Sequence, residues 1–413
     1  MSTPTPTSIT NRSVVIAGAG PAGAVAALLL ARNGAHVTVL ERSAPSSAVG
    51  AGLLLQPNGL AVLYALGLRD ALSSAAERSS TITIRDSRGR VIVQSQVPDY
   101  GNGLDHVLAL RRSHLATVLD EALSTAHIQV HRASEVVNAD PSGFVTCTNG
   151  TGVDHVAADL IIGADGVHSA VRRSGTFGDR VSPTGHTYVR GIVQGAFDVE
   201  AGEYWTPLGL FGNAPLGDGT TYFYADATAP SIDRSLAAGD LDAFRDAWVG
   251  ALPPLSPLID AISPTPPMLV NEVDRVDCTS FVDHRLVLIG DAAHAMAPTL
   301  GQGANSAFVD GAVLAAELRR HDDIDAALAA YDRRRRPAVQ KVQRDADRVA
   351  RLSSTTSTFG RALRDRALRI ANRPQSAKRR YDTALQHDPA ELARMVSEPP
   401  DLHLAARSTP ARE

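Results

Sequence analysis

Gly18, Gly20 and Gly23, in the stretch GAGPAG, have the types and spacing to hold a phosphate. Gly18 permits a sharp turn, Gly20 removes the side chain that would keep backbone N–H groups from an anion, and Gly23 lets a helix pack on the strand before it. Pro21 suits the first helical turn. The β-branched run Val14, Val15 and Ile16 suits a strand buried on both faces. The helix runs to Arg32 and stops at Gly34; a second strand, His36 to Leu40, ends in Glu41, whose carboxylate can accept a ribose hydroxyl. Together these point to a bound pyrophosphate-containing ligand.

Two later stretches also carry chemistry. In DLIIGADGVHSAVRR, Leu160 to Ile162 form a buried strand, Gly163 permits close approach and Asp165–Gly166 turn the chain, a place suited to ribose hydroxyls or phosphates. In RLVLIGDAAHAMAPTLGQGANSAFVDGAVLAAEL, a buried strand leads to Gly290–Asp291, a loop with Pro298, and a long helix opening near Gly301 to Asn305. The start of that helix turns partial positive charge toward its neighbour. His294 has no ligand set around it, so it is assigned packing and no metal is expected. Arg111 and Arg112 stand at the N-terminal edge of a helix through Leu115, Val118, Leu119 and Ala122, where an arginine pairs with phosphate or is simply solvated.

Other segments must position these residues. Alternation from Thr81 to Gln96, with Asp86 to Gly89 as a turn, reads as a hairpin. YVRGIVQGAF, TTYFYAD and MLVNEVDRV, between Val181 and Val276, read as an antiparallel sheet. Its Tyr188, Tyr204, Trp205, Phe211, Tyr222, Phe223 and Tyr224 are either core or the lining for a flat ligand. Gly50 and Gly52 mark a crossover that lies along a ligand or serves as a flexible linker. From Asp322 an amphipathic helix carries Ile324, Leu328, Tyr331, Val339, Val342 and Val349 inward, with Pro337 as a kink and its arginines on a solvated face.

The 413 residues, 44% apolar and 20% charged with net charge −4, supply two or three packed units without the basic excess that nucleic acid requires. The polar start lacks a signal-peptide core and no apolar run reaches bilayer length, so a cytoplasmic enzyme with no membrane partner is expected. Cys147 and Cys278 form no CxxC pair, which counts against a dithiol redox centre.

GAGPAG with Glu41, IIGADGVHSAVR and LIGDAAHAMAPTLGQGAN, in that order, resemble the three motifs of single-component FAD-dependent aromatic monooxygenases such as p-hydroxybenzoate and salicylate hydroxylases. The resemblance spans roughly Val14 to Leu352. It implies an α/β fold: a Rossmann-type FAD-binding domain (12–78, 103–180 and 277–320), an inserted antiparallel β-sheet substrate domain (79–102 and 181–276), C-terminal helices (321–395) and a flexible tail (396–413). It implies noncovalent FAD contacted by Gly18, Gly20, Ala22, Gly23, Glu41, Arg42, Arg112, Val136, Asp165, Asp291, Gly301, Gly303, Ala304 and Asn305. Glu41 would take the adenosine ribose, Val136 would flank the adenine and Asp291 would hold the ribityl chain. Asp165 would also serve the docking of NADH or NADPH, a transient co-substrate, in keeping with the lack of a second GxGxxG unit. The implied reaction hydroxylates an aromatic or polyketide-like molecule with O2 through a flavin C4a-hydroperoxide. His186, Tyr222, Tyr224 and Pro298 fall where the resemblance puts the substrate pocket, and none identifies itself as an acid–base catalyst. Oligomeric state stays open. Two other readings are a FAD-dependent reductase of isoprenoid double bonds, which would consume no oxygen, and a non-enzymatic binding protein of the same fold, which the intact Gly-Asp motif opposes.

Overall fold

In the computed structural model, residues 8–44, 51–150, 152–266, 268–372 and 374–398 are described; Gly50 and most of the expected tail lie outside them. The apolar strand Ser13–Ala17 sits inside a six-stranded sheet ordered Val282–Asp283, Leu286–Leu288, Leu160–Gly163, Ser13–Ala17, His36–Glu41, Gln129–Arg132. Every pairing is parallel except the short one between Val282–Asp283 and Leu286–Leu288. Parallel strands need covering helices. Pro21–Arg32 supplies one and Gly303–Arg320 packs against it, so closely that a Cβ at Gly311 would lie 3.4 Å from the Ala26 nitrogen. Gly303–Arg320 is buried without interruption from Asn305 to Leu318 and also touches Pro57–Ala65, Ile324–Ser353 and Pro389–Ser397.

A seven-stranded sheet is ordered Leu269–Asp277, Arg180–Gln194, Thr220–Asp226, Gly209–Pro215, Gly202–Thr206, Thr81–Asp86, Val91–Gln96. It departs from the all-antiparallel expectation at one seam, where Gly202–Thr206 runs parallel to Thr81–Asp86. Those two strands come from distant parts of the chain, so no hairpin dictates their direction. The two-residue repeat of a strand sorts the aromatic residues by face. Tyr204, Phe211 and Phe223 join Phe244 and Trp248 of helix Leu241–Ala251 in one core, with Phe211 5.8 Å from Phe223 and 5.1 Å from Trp248 between ring centroids. Tyr188, Trp205, Tyr222 and Tyr224 take the opposite face.

Two three-stranded sheets complete the β structure: Gly52–Leu55, Val107–Arg111 and Ala76–Ser79 in one, Glu135–Asp140, Phe144–Asn149 and Gly152–Ala157 in the other. The C-terminal helix Ile324–Ser353 runs through Pro337 and buries Ile324, Leu328, Tyr331, Val339 and Val342 as the spacing requires. Arg335 corrects the reading of a wholly solvated arginine face, since it is 0% exposed. It stands four residues after Tyr331 and four before Val339, on the inward stripe.

Trp248→Ala should cost about 3–5 kcal/mol in chemical denaturation, the usual loss for a fully buried aromatic. Affinity of the folded variant for the FAD that the resemblance implies should stay at the parent level. A large parallel loss of FAD would show that the two faces of the sheet do not act separately.

Candidate functional site

A cavity of about 1210 Å³ runs from Ala17, Gly18, Glu41 and Asp165, at the ends of the parallel strands, to Tyr222, Tyr224 and Trp205 on the seven-stranded sheet. Pockets for one small ligand hold roughly 300–1,000 Å³, so this space admits more than one molecule.

Gly18 has φ +100°, and a Cβ there would meet the Ala164 carbonyl oxygen at 2.5 Å, so the glycine turn presses directly on the segment that carries Asp165. Gly23 does not line the cavity; its Cβ would lie 2.0 Å from the Gly18 oxygen, which makes it the contact between helix and turn. Gly20 does face the cavity, and an added Cβ would find nothing within 4 Å. The first turn of Pro21–Arg32 has no side-chain cap, leaving its N–H groups for an anion. Glu41 faces the same space and also holds the loop: Oε2 accepts the Ala19 N–H at 2.7 Å and Oε1 the Ser43 N–H at 2.9 Å.

Asp165 accepts the Ala170 and Val171 N–H groups on Oδ2, at 2.6 and 3.2 Å, while Oδ1 has no partner. Of the two adjacent arginines, Arg111 is tied to Asp218 and to Thr220 Oγ1, whereas exposed Arg112 lines the cavity. Ala22, Arg42, Val136 and Asp291 line it as well, as do Gly301, Gly303 and Ala304 at the start of Gly303–Arg320, whose first turn also lacks a side-chain cap. Asn305 does not. Its carboxamide accepts the Gln56 N–H at 2.9 Å and donates to the Leu54 and Gly301 carbonyls at 3.0 and 2.8 Å, so it fastens the crossover strand to the helix.

His294 does more than pack. It is fully buried, and its Nε2 donates to Asp310 Oδ2 at 2.6 Å, since a carboxylate only accepts. Asp310 Oδ2 also takes the Gly290 N–H at 2.8 Å, and Oδ1 takes Arg335 Nε at 2.8 Å. Burial works to raise this carboxyl, but the charges of His294 and Arg335 outweigh it and hold it below the usual carboxylate range.

Tyr222, Tyr224 and Pro298, among the residues expected at the substrate, line the cavity. His186 does not: it lies near the middle of Arg180–Gln194, where the pairing register shifts between Pro183 and Thr187, with its Nδ1 3.9 Å from Asp226 and its ring beside Tyr188. Burial pushes the Tyr222 hydroxyl up to about 12, against the pull of Arg190 and Arg112, and burial, with the charge of Glu203 beside it, raises Tyr224 well above the usual tyrosine value. Both therefore keep their protons near neutral pH and act as donors, not bases. Glu203 and Arg190, which the sequence did not single out, also line the cavity. Trp205 Nε1 donates to Glu203 Oε1 at 2.5 Å and the Tyr224 hydroxyl to Oε2 at 3.3 Å. Burial raises the Glu203 carboxyl despite these bonds. The available signal was alternation, which puts Glu203 and Trp205 on one face and Tyr204 on the other.

A Rossmann-type unit joined through one cavity to an aromatic-lined sheet defines a dinucleotide-binding enzyme. The family described as FAD binding domain matches residues 11–215 and 267–346, and this chain belongs to that family, as a FAD-dependent monooxygenase. It is 32% identical to 3-amino-4-hydroxybenzoate 2-monooxygenase of Streptomyces cremeus over 82% of this chain and 86% of the relative. It is 30% identical to 2-heptyl-3-hydroxy-4(1H)-quinolone synthase of Mycobacteroides abscessus over 82% of this chain and 90% of the relative. The structure of 2-methyl-3-hydroxypyridine-5-carboxylic acid oxygenase superposes with a TM-score of 0.74 at 28% identity, covering 92% of this chain and 98% of that one. No helix among the described residues is long and apolar enough to cross a membrane.

The residues present fit FAD: two uncapped helix starts, an open cradle at Gly20, and the unpaired Oδ1 of Asp165. Glu41→Ala should weaken FAD by about 1–3 kcal/mol, read by titration of the apoprotein, for loss of hydrogen bonds to a charged group. Arg335→Leu should cost about 3–5 kcal/mol of stability by leaving the Asp310 charge half compensated. Because the Asp310 carboxyl is held low, its contribution is present above the unfolded value of about 3.9 and lost as pH falls through the lower folded value. Denaturation of Asp310→Asn at a series of pH values should thus show a constant deficit down to about pH 4, closing only below it.

Proposed function

We propose that this monooxygenase uses NADH or NADPH and O2 to hydroxylate an aromatic molecule carrying an apolar substituent. The observation that carries this reading is the continuity of one cavity between the dinucleotide cradle and the aromatic face of the sheet. In this reading the first turn of Pro21–Arg32 and Arg112 hold the pyrophosphate, Glu41 and Val136 the adenosine, and Asp165 and Asp291 the ribose and ribityl hydroxyls. Gly303 and Ala304 open the helix start toward the ring. Bound FAD supplies hydride acceptance and oxygen activation. The chain's own residues exclude water and orient the substrate: Tyr222 and Tyr224 offer hydroxyl donors, while Ile84, Val93, Leu210, Val349 and Leu368 form an apolar wall. Relatives named for an aminohydroxybenzoate and an alkylquinolone agree with such a pocket. The units 12–78, 103–180 and 277–320 then act as the cofactor half and 79–102 and 181–276 as the substrate half, in a cytoplasmic enzyme.

The purified protein should be yellow, and acid precipitation should release its FAD. Against a panel of aromatic and polyketide compounds, at least one should stimulate NAD(P)H oxidation with matching O2 uptake and a product one oxygen heavier by mass spectrometry. Substrate turnover without O2 uptake would point instead to the reductase reading. Gly303→Val, which fills space open to the cavity, should slow flavin reduction and lower the flavin potential even where FAD still binds. An unchanged potential in a fully loaded variant would remove this helix start from flavin tuning.

A further inference from the structure

The register of the seven-stranded sheet places Leu269, Arg190, Tyr224, Gly212, Glu203, Ile84 and Val93 in one row across consecutive strands. Arg190 and Glu203 stand at opposite sides of the row's centre, three strand spacings or roughly 14 Å apart at the backbone. Between them Gly212 has no side chain, and a Cβ there would lie 2.0 Å from Tyr224 Cζ. The Tyr224 ring therefore lies across the Gly212 backbone and extends its hydroxyl to Glu203.

Glu203 is an unusual residue for this position. Arg85 is engaged by Glu200 and Arg364 by Asp365, and the groups that bond Glu203 are a neutral indole and a neutral phenol. Glu203 is half-buried and has no counter-ion among the described residues, and a carboxyl withdrawn from water without one is costly. Its two oxygens offer about four acceptor positions, of which Trp205 and Tyr224 take two. The remaining capacity sits on a residue that lines the cavity.

We propose that Glu203 is the specificity-determining residue of the pocket: its free acceptor positions bind an N–H or O–H donor on the ring of an otherwise neutral aromatic substrate. The proposal rests on the reading of this cavity as the aromatic substrate site beside FAD. Trp205 and Tyr224 fix the carboxyl so that little freedom is lost when the donor arrives. A substrate that lacks the donor covers the half-buried carboxyl and leaves it short of a partner, which is how a polar site rejects an isostere.

The test uses the FAD-loaded protein and matched heteroaromatic pairs that differ only in N–H against N–CH3, beginning with 4(1H)-quinolone and its 1-methyl derivative. Affinity is read from perturbation of the oxidised flavin spectrum, so it needs no turnover. The parent should prefer the N–H member by tenfold or more. Glu203→Gln, which keeps the shape, should reduce that preference, and Glu203→Met, which offers no oxygen acceptor, should abolish it. Trp205→Phe removes a clamp but leaves the acceptor, so it should keep the preference even if both affinities fall; a merely structural Glu203 would make Trp205→Phe and Glu203→Gln behave alike. Binding of both members with no preference in the parent, or a preference that survives Glu203→Met, overturns the proposal alone. If no pair perturbs the flavin of the parent, the aromatic-pocket reading itself fails and this proposal with it.

Discussion

Asp310 is a fully buried carboxylate, and the geometry of the Gly290–Asp291 turn depends on how its charge is compensated. A buried charge is tolerated only when it is paired and hydrogen-bonded. The partners here come from separate segments: the Gly290 N–H and His294 from the turn after Leu286–Leu288, and Arg335 from Ile324–Ser353. Asp310 itself lies on the central helix Gly303–Arg320. One carboxyl thus ties the turn, the central helix and the C-terminal helix to a common point. Asp291 follows Gly290 directly and reaches the cavity, so its position is set by a charge cluster it does not touch.

Close backbone contact does for the other motifs what the ion cluster does for this one. Parallel pairing of Val14 to Ala17 with Leu160 to Gly163 brings two sequence-distant turns side by side. The missing side chain at Gly18 then lets them approach until its Cα side meets Ala164. The glycine turn and Asp165 become one wall of the cavity. Asn305 extends the same logic to the crossover strand Gly52–Leu55, where Gly52 in turn leaves room for the Tyr222 ring, 2.4 Å from an added Cβ. The two ends of the cavity therefore share their packing.

This division explains which parts were legible in the sequence. The glycine turn, Glu41, Asp165 and Asp291 depend on local backbone and neighbouring residue types, and such signals survive in a linear string. His186 and Glu203 were not separable that way, because which residue reaches the cavity depends on the register between strands far apart in the chain. Asn305 sits inside a readable motif, yet its side chain turns to Gln56, Leu54 and Gly301, a choice made by tertiary neighbours. Arg335 was readable in principle: its spacing from Tyr331 and Val339 marks the inward stripe, but an arginine run suggests solvent until the buried Asp310 is known.

The chemistry left to the side chains is correspondingly narrow. Tyr222 and Tyr224 hold their protons more tightly than free tyrosine, so neither takes a proton from substrate near neutral pH. The apolar wall along Ile84, Val93 and Leu210 contributes shape and the exclusion of water but no charge. Glu203 alone in this row combines free acceptor capacity with a carboxyl that burial raises above its ordinary value. Trp205 and Tyr224 already hold that carboxyl in place before any donor reaches it. The position of Glu203, fixed by Trp205 on its own strand and by Tyr224 lying over Gly212, is therefore a geometric condition on what this row can bind.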